Sequence, residues 1–397
     1  MLEGLRVIEL ASYIAAPAAG GIMADWGADV IKIEPLHGDP IRQFFASIGA
    51  EVDGNPVFEL DNRGKRGVAI DTGTEEGAEA VRRLAAEADV FLTNLRPGSL
   101  SRAGLDHERL SALNPKLVYA SVTGYGLFGE EKDRPGFDMA AFWSRAGVAR
   151  LFAPKGTDPV QIRTAFGDHV TAQATVAGIL AAIVERSRTG KGRLVETSLL
   201  RSGIYALGTD MAIQLALGRV ASTPPREKAI NPINNFFQSS DGNWICLMPR
   251  QGGADWADLT KAIGREDLRE HERFRDSRSR RANGPELVRI LDDAFAAHTL
   301  EEWGAILDRH HLIWAPVQHP RQVAEDPQAE AAGAFVDMPG TGYRSPASPA
   351  RFHGADDGPK GAAPEIGQHT EAVLSEAGYD EGAIEALRGA GVIARRS

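Results

Sequence analysis

The sequence predicts an α/β protein: an open parallel, Rossmann-like sheet domain with a smaller α+β domain attached. Three observations lead there. The first half alternates short β-branched runs with helical periods, the pattern of a parallel sheet with crossover helices. At 397 residues the chain exceeds what one hydrophobic core usually supports. Around Thr223-Pro224-Pro225 the texture changes to a hairpin followed by helices.

Residues 5–10 read as a strand, and residues 17–26 as a helix with proline in its first turn and Gly27 stopping it. Residues 29–34 return as a strand, which closes a right-handed βαβ unit. The pattern repeats with a helix at 75–87, a strand at 90–93, a helix near 104–113 and a strand at 117–122. A long helix follows at about 171–188, ended by Gly190-Lys191-Gly192, and 193–200 passes from strand into helix. Residues 236–247 form a hairpin turning on Asp241-Gly242, and helices dominate from 256 to about 309. The large domain therefore takes 1–205, a linker 206–224 and the small domain 225–323. The return segment 324–397, rich in Pro, Gly and Ala up to a helix at 371–377, wraps back over the large domain.

Composition sets several classes aside. With 43% hydrophobic and 25% charged residues the proportions are those of a globular chain, not a disordered one. Apolar stretches such as 177–184 are too short to span a bilayer. The start Met1-Leu2-Glu3-Gly4-Leu5-Arg6 lacks the basic, apolar and cleavage regions of a signal peptide, so a cytoplasmic location without a membrane partner is expected. Cys246 is the sole cysteine, which rules out an internal disulfide or a thiolate metal cluster within one chain, and its strand-like surroundings suit a structural thiol. No metal site is expected. The net charge of −10 works against nucleic-acid binding. A small anion needs only a few converging cations, and Arg42, Arg63, Lys65, Arg66, Arg96 and Arg102 are available; each of them also suits a solvated surface.

Parallel sheets bind ligands beyond the carboxyl ends of their strands. Here those ends carry Ala11-Ser12-Tyr13-Ile14-Ala15-Ala16, Thr93-Asn94-Leu95-Arg96-Pro97-Gly98 and Thr123-Gly124-Tyr125-Gly126. The turn after the first strand lacks Gly-x-Gly-x-x-Gly, which argues against NAD or FAD, and no Walker sequence occurs.

Three stretches resemble the class III CoA-transferases, also called the CaiB/BaiF family. The first is residues 2–10 with Gly27-Ala28-Asp29-Val30-Ile31-Lys32-Ile33-Glu34-Pro35 and Gly38-Asp39-Pro40-Ile41-Arg42. The second joins Asn62-Arg63-Gly64-Lys65-Arg66, Asn94-Leu95-Arg96-Pro97-Gly98, residues 120–126 and Arg134-Pro135-Gly136-Phe137-Asp138. The third is Gly167-Asp168-His169, Thr189-Gly190-Lys191-Gly192 and Gly367-Gln368-His369-Thr370. The resemblance implies a ring-shaped chain threaded through its partner as an interlocked homodimer. It also implies coenzyme A or acyl-CoA as substrate rather than as a permanently bound cofactor, and a small carboxylic acid as the other reactant.

Carried over by position, Asp138 falls on the family's catalytic aspartate, whose carboxylate attacks the thioester and becomes an aspartyl-CoA thioester. Ala15, Ile70, Asn94, Arg102 and Tyr125 fall where the family contacts CoA, with Arg96 beside them. Asp138 also reads as a cap for the helix beginning at Met139. Several features depart from the family. Asp71-Thr72-Gly73-Thr74 offers no lysine for adenosine, Ile14 replaces a glutamine of formyl-CoA transferases, and Arg250-Gln251-Gly252-Gly253 stands where those enzymes carry a longer glycine run. The last two argue against oxalate or formate. Ala141-Phe142-Trp143-Ser144-Arg145 resembles the subgroup acting on aryl or branched hydroxy acids and on unsaturated dicarboxylates, although core packing explains the aromatics equally well. The alternatives are an α-methylacyl-CoA racemase and a non-catalytic CoA-binding protein. Racemases place a histidine where Phe137 stands, and Asp168 occupies their second acid position.

Overall fold

The computed structural model describes residues 1–52, 54–163, 165–250 and 255–394, so Gln251 and Gly252-Gly253 of the expected glycine-run position lie outside the described residues. The chain divides into two compact units, one formed by residues 1–150, 161–220 and the stretch from 331 onward, the other by residues 151–160 and 221–330.

The larger unit is built on six parallel strands: β1 (Arg6–Leu10), β2 (Asp29–Glu34), β3 (Arg66–Ala69), β4 (Val90–Thr93), β5 (Val118–Thr123) and β6 (Leu194–Ser198). Their order is β3-β2-β1-β4-β5-β6, so the winding reverses between β1 and β4. Side-chain alternation sorts the strand residues onto two covered faces. Ile8, Leu10, Ile31, Ile33, Val68 and Phe91 point to one core, while Val7, Val30, Val90, Leu92, Val118 and Ala120 point to the other. The second core is closed by α1 (Ala15–Asp25) and by the long helix Phe166–Thr189, through Ala172, Val176, Ile179 and Ala182. Among the described residues that long helix alone has the length and composition to cross a membrane, yet this stripe of it packs on the sheet.

The helix expected near 104–113 is His107–Leu113, and a further helix that was not expected, Pro97–Ala103, precedes it. Gly104, at φ 67°, ends Pro97–Ala103, and the Asp106 side chain caps His107–Leu113. The expected linker 206–224 contains the helix Gly208–Leu217, which buries none of its residues. The return segment adds two helices, Thr370–Glu376 and Glu381–Gly389, whose Val373, Leu374, Ile384 and Leu387 enter the first core. Ile393 then bridges Ile70 at the end of β3.

In the smaller unit β7 (Asn235–Gln238), β8 (Trp244–Leu247) and β9 (Trp314–Pro316) form an antiparallel sheet. Gly242, at φ 80°, makes the hairpin turn, and Phe237, Ile245, Trp256, Leu291, Phe295 and Trp303 fill the core. Cys246 lies in β8, and burial pushes its thiol up, away from the nucleophilic thiolate.

Candidate active site

The winding reversal leaves a crevice beyond the ends of β1 and β4. Asn94 spans it, accepting from Ser12 N–H at 3.0 Å and donating to Ser12 O at 2.6 Å. There a cavity of about 320 Å³ opens, in the range of small-molecule sites. Its wall includes Tyr13, Ile14, Ala15, Arg96, Lys132, Arg134, Phe137, Asp168 and Leu199.

Two glycines fix the wall beside β5. A Cβ on Gly124 would stand 2.7 Å from the Gly136 Cα, and one on Gly136 would stand 2.6 Å from the Gly124 Cα. The Thr123-Gly124-Tyr125-Gly126 and Pro135-Gly136-Phe137-Asp138 motifs therefore pack backbone to backbone, which only glycine permits. Asp138 follows directly. Its residue surface is 2% exposed, and it is not on the cavity wall. It makes no capping bond to the π-helical turn Met139–Arg145, so the cap expected from sequence does not form. Neither carboxylate oxygen has a hydrogen bond of good geometry. Burial pushes the acid's pKa up, and the amides of Ala165 and Gly167, the Trp143 indole and His169 oppose that rise from nearby.

Asp168 is the carboxylate on the cavity wall, in the first turn of Phe166–Thr189. Gly167 lets the two acids approach, since a Cβ there would lie 2.3 Å from Asp138 Oδ1 and 2.3 Å from the Phe142 ring. Ala165, at φ 77°, holds the strained turn into the helix. Burial and then the neighbouring Asp138 raise Asp168 to about 7, with His169 pulling the other way. His169 Nε2 lies 3.1 Å from Asp61 Oδ1. Burial works against its charge, but Asp61 and Asp168 hold its pKa above the usual value.

Several of the charged motif residues build the floor beneath this site instead of lining it. Lys32 Nζ reaches Asp39 Oδ2 at 2.8 Å and Glu9 Oε1 at 3.4 Å, and Lys65 Nζ reaches Glu9 Oε2 at 2.7 Å, all fully buried. Burial works against the charge of Lys32, but Glu9 and Asp39 outweigh it and raise its pKa. Burial pulls Lys65 down to about 8, with Glu9 opposing. Arg63 binds Asp25, Arg42 binds Glu34, and Arg66 binds Asp29 and Glu376. Gly367-Gln368-His369-Thr370 edges β3, His369 Nδ1 accepting from Gly67 N–H at 3.1 Å and Thr370 Oγ1 from Ala69 N–H at 3.1 Å.

Of the residues expected at a CoA site, Ala15, Asn94 and Arg96 line the main cavity. Ile70 lines a second cavity of about 290 Å³, with His37 and Asp71. Arg102 lines a third of about 380 Å³, where it donates to Ser99 Oγ at 3.1 Å. Leu95 lines all three, so they adjoin one another along the strand ends. Tyr125 lies off these cavities, beneath the guanidinium groups of Arg134 and Arg145 at 5.7 and 5.8 Å. Phe142 is fully buried core, and Arg145 pairs with Glu131 at 2.8 Å. Sequence reasoning underweighted Lys132 and Arg134, which join Arg96 as cations on the main cavity. Their signal was proximity to the Pro135-Gly136 motif.

A carboxylate in a cavity at the winding reversal of a parallel sheet, with cations along the strand ends, defines an α/β enzyme acting on an anionic ligand. The family model for CoA-transferase family III matches residues 2–370, and the chain belongs to that family. It is 36% identical to (R)-2-hydroxy-4-methylpentanoate CoA-transferase of Clostridioides difficile, covering 99% of each chain. It is 35% identical to cinnamoyl-CoA:phenyllactate CoA-transferase of Clostridium sporogenes, covering 98% of this chain and 96% of that one. Among solved structures, a CaiB/BaiF family protein from Brucella suis superposes with a TM-score of 0.84 at 32% identity, covering 95% of this chain and 99% of that one. The protein is a class III CoA-transferase, and CoA thioesters are its substrates.

Proposed function

We propose that the enzyme passes CoA from an acyl-CoA to a free monocarboxylic acid through an aspartyl-CoA thioester formed on Asp168. The observation that carries this is that Asp168, not Asp138, is the carboxylate on the cavity wall. The ionised Asp168 adds to the thioester carbonyl, the C–S bond breaks, and a mixed anhydride and CoA thiolate result. The thiolate then attacks the aspartyl carbonyl, releasing the donor acid as its carboxylate and leaving aspartyl-CoA. The acceptor carboxylate repeats the two steps in reverse order, so the new acyl-CoA departs and Asp168 is regenerated. No net proton and no water are consumed. Arg96, Lys132 and Arg134 suit the phosphates or the acid carboxylates, and Arg102 suits a phosphate at the far end of the cavity series.

The acceptor we favour has an apolar branched or aryl body, in line with the acids named for the two clostridial relatives. Racemisation is disfavoured because Phe137 lines the cavity where a second acid or base is needed. A second reading keeps Asp138 as the nucleophile, favoured by its two unpaired oxygens. Enzyme mixed with acyl-CoA and no acceptor should gain a CoA adduct by intact mass, and hydroxylamine should convert it to a hydroxamate in the peptide holding Asp168. A hydroxamate in the Asp138 peptide instead would establish the second reading, and absence of any adduct would remove both.

A further inference from the structure

We propose that Tyr13 and Phe137 are specificity-determining residues, an aromatic wall that receives the apolar body of the exchanged acid and disfavours a second carboxylate there. This rests on the reading that CoA is exchanged at the carboxylate of this cavity. Both rings line the cavity that Asp168 lines. They meet edge to face, with centroids 5.4 Å apart and planes at 87°. Tyr13 is nevertheless 43% exposed and Phe137 57% exposed, so the pair leaves aromatic surface open beside Ile14, Val122 and Leu199 of the same wall.

The two rings are held from opposite sides. Tyr13 has φ 67°, a left-handed conformation that a bulky residue adopts only when its surroundings impose it. Its N–H donates to Asp39 Oδ1 at 3.0 Å, and the other oxygen of Asp39 holds the buried ammonium of Lys32. The preceding residue, Ser12, is fixed by both bonds to Asn94. On the other side, Phe137 follows Gly136, whose backbone contact with Gly124 sets its place. A strained tyrosine anchored by a buried ion pair, meeting a phenylalanine anchored by a glycine contact, is a surface held in register with the carboxylate. The ring faces offer a second carboxylate no hydrogen-bond donor, and the single Tyr13 hydroxyl of the pair is too little to replace its lost water, whereas a branched or aryl group covers them without that penalty.

The full-length enzyme, one acyl-CoA donor and four acceptors test this: lactate, 2-hydroxy-4-methylpentanoate, phenyllactate and succinate. Wild type should favour the two larger apolar acids over succinate by roughly tenfold or more in kcat/KM. Tyr13→Ala and Phe137→Ala should each lower the phenyllactate-to-lactate ratio by about tenfold, and Tyr13→Phe should keep that ratio. An equal change for every acid, an unchanged ratio in both alanine variants, or a wild-type preference for succinate would overturn the proposal. Wild type transferring CoA to all four acids without discrimination would remove the selection alone, whereas transfer to none of them would remove the exchange reading as well.

Discussion

Asp168 meets two opposing demands at the scale of a single side chain. In the proposed mechanism it must ionise to attack a thioester, yet burial and Asp138 together raise its pKa to about 7. The rate on free enzyme should therefore climb with pH, and kcat/KM should show an ascending limb with an apparent pKa near 7 that belongs to the coupled pair. A profile flat from pH 5 to pH 8 would contradict this. Stability should run the other way. A carboxyl whose folded pKa lies above its unfolded value of about 3.9 binds more protons folded than unfolded, so stability falls as pH rises between the two values. Asp168→Asn should lose exchange and still gain thermal stability over wild type at pH 8, with little gain at pH 4; thermal melts at both pH values check it. The sequence made this region legible as an acidic site but not which acid lines the cavity. Position within the family motif pointed to Asp138, whereas exposure is set by the Gly124–Gly136 contact and by the missing Cβ of Gly167. Neither close approach is visible in a linear pattern.

At the scale of elements, β1, β2, β4 and β5 were legible because each is short, apolar and bounded by a turn residue, whereas β3 and β9 went unread. β2 and β4 have the bounds expected from the sequence, and β1 and β5 differ by a residue. The helix Glu381–Gly389 escaped notice because it is short and carries Gly382 in its first turn; the Asp380 side chain caps it, and Ile384 and Leu387 pack into the first core. The Asn62-Arg63-Gly64-Lys65-Arg66 motif was legible as basic but not as buried. Its place follows from α1, where a Cβ on Gly20 would lie 1.9 Å from Glu9 Oε2 and fill the space that the ion pair needs. Lys65→Met would strand Glu9 Oε2, Asn62 Oδ1 and Pro17 O, which Lys65 now satisfies. The expected loss is ~3–5 kcal/mol of unfolding free energy. The double variant with Glu9→Gln should lose less than the sum of the two single variants, because their charges share one network. Denaturant titration of the four proteins checks both, and additive losses would mean that the two groups do not interact.

At the scale of the whole molecule, periodicity identifies layers and cannot reveal how two chains thread. The apolar helix Gly208–Leu217 is where this matters. It buries none of its residues, and Leu215 and Leu217 are 80% and 68% exposed, with Tyr205 of the preceding helix 86% exposed. Large apolar side chains left exposed together on one short stretch mark a candidate interaction site. The family likeness suggests the occupant, a second copy in an interlocked homodimer. Such a pair cannot part by simple dissociation, because separation requires one chain to open. The enzyme should therefore sediment at twice the chain mass at every concentration down to the nanomolar range. Glutamate at Leu215 or Leu217 should lower the yield of assembled enzyme during refolding without producing a dilution-dependent monomer from protein already assembled. A reversible monomer–dimer equilibrium in wild type would keep the interface and remove the threading, and a monomer at all concentrations would remove both.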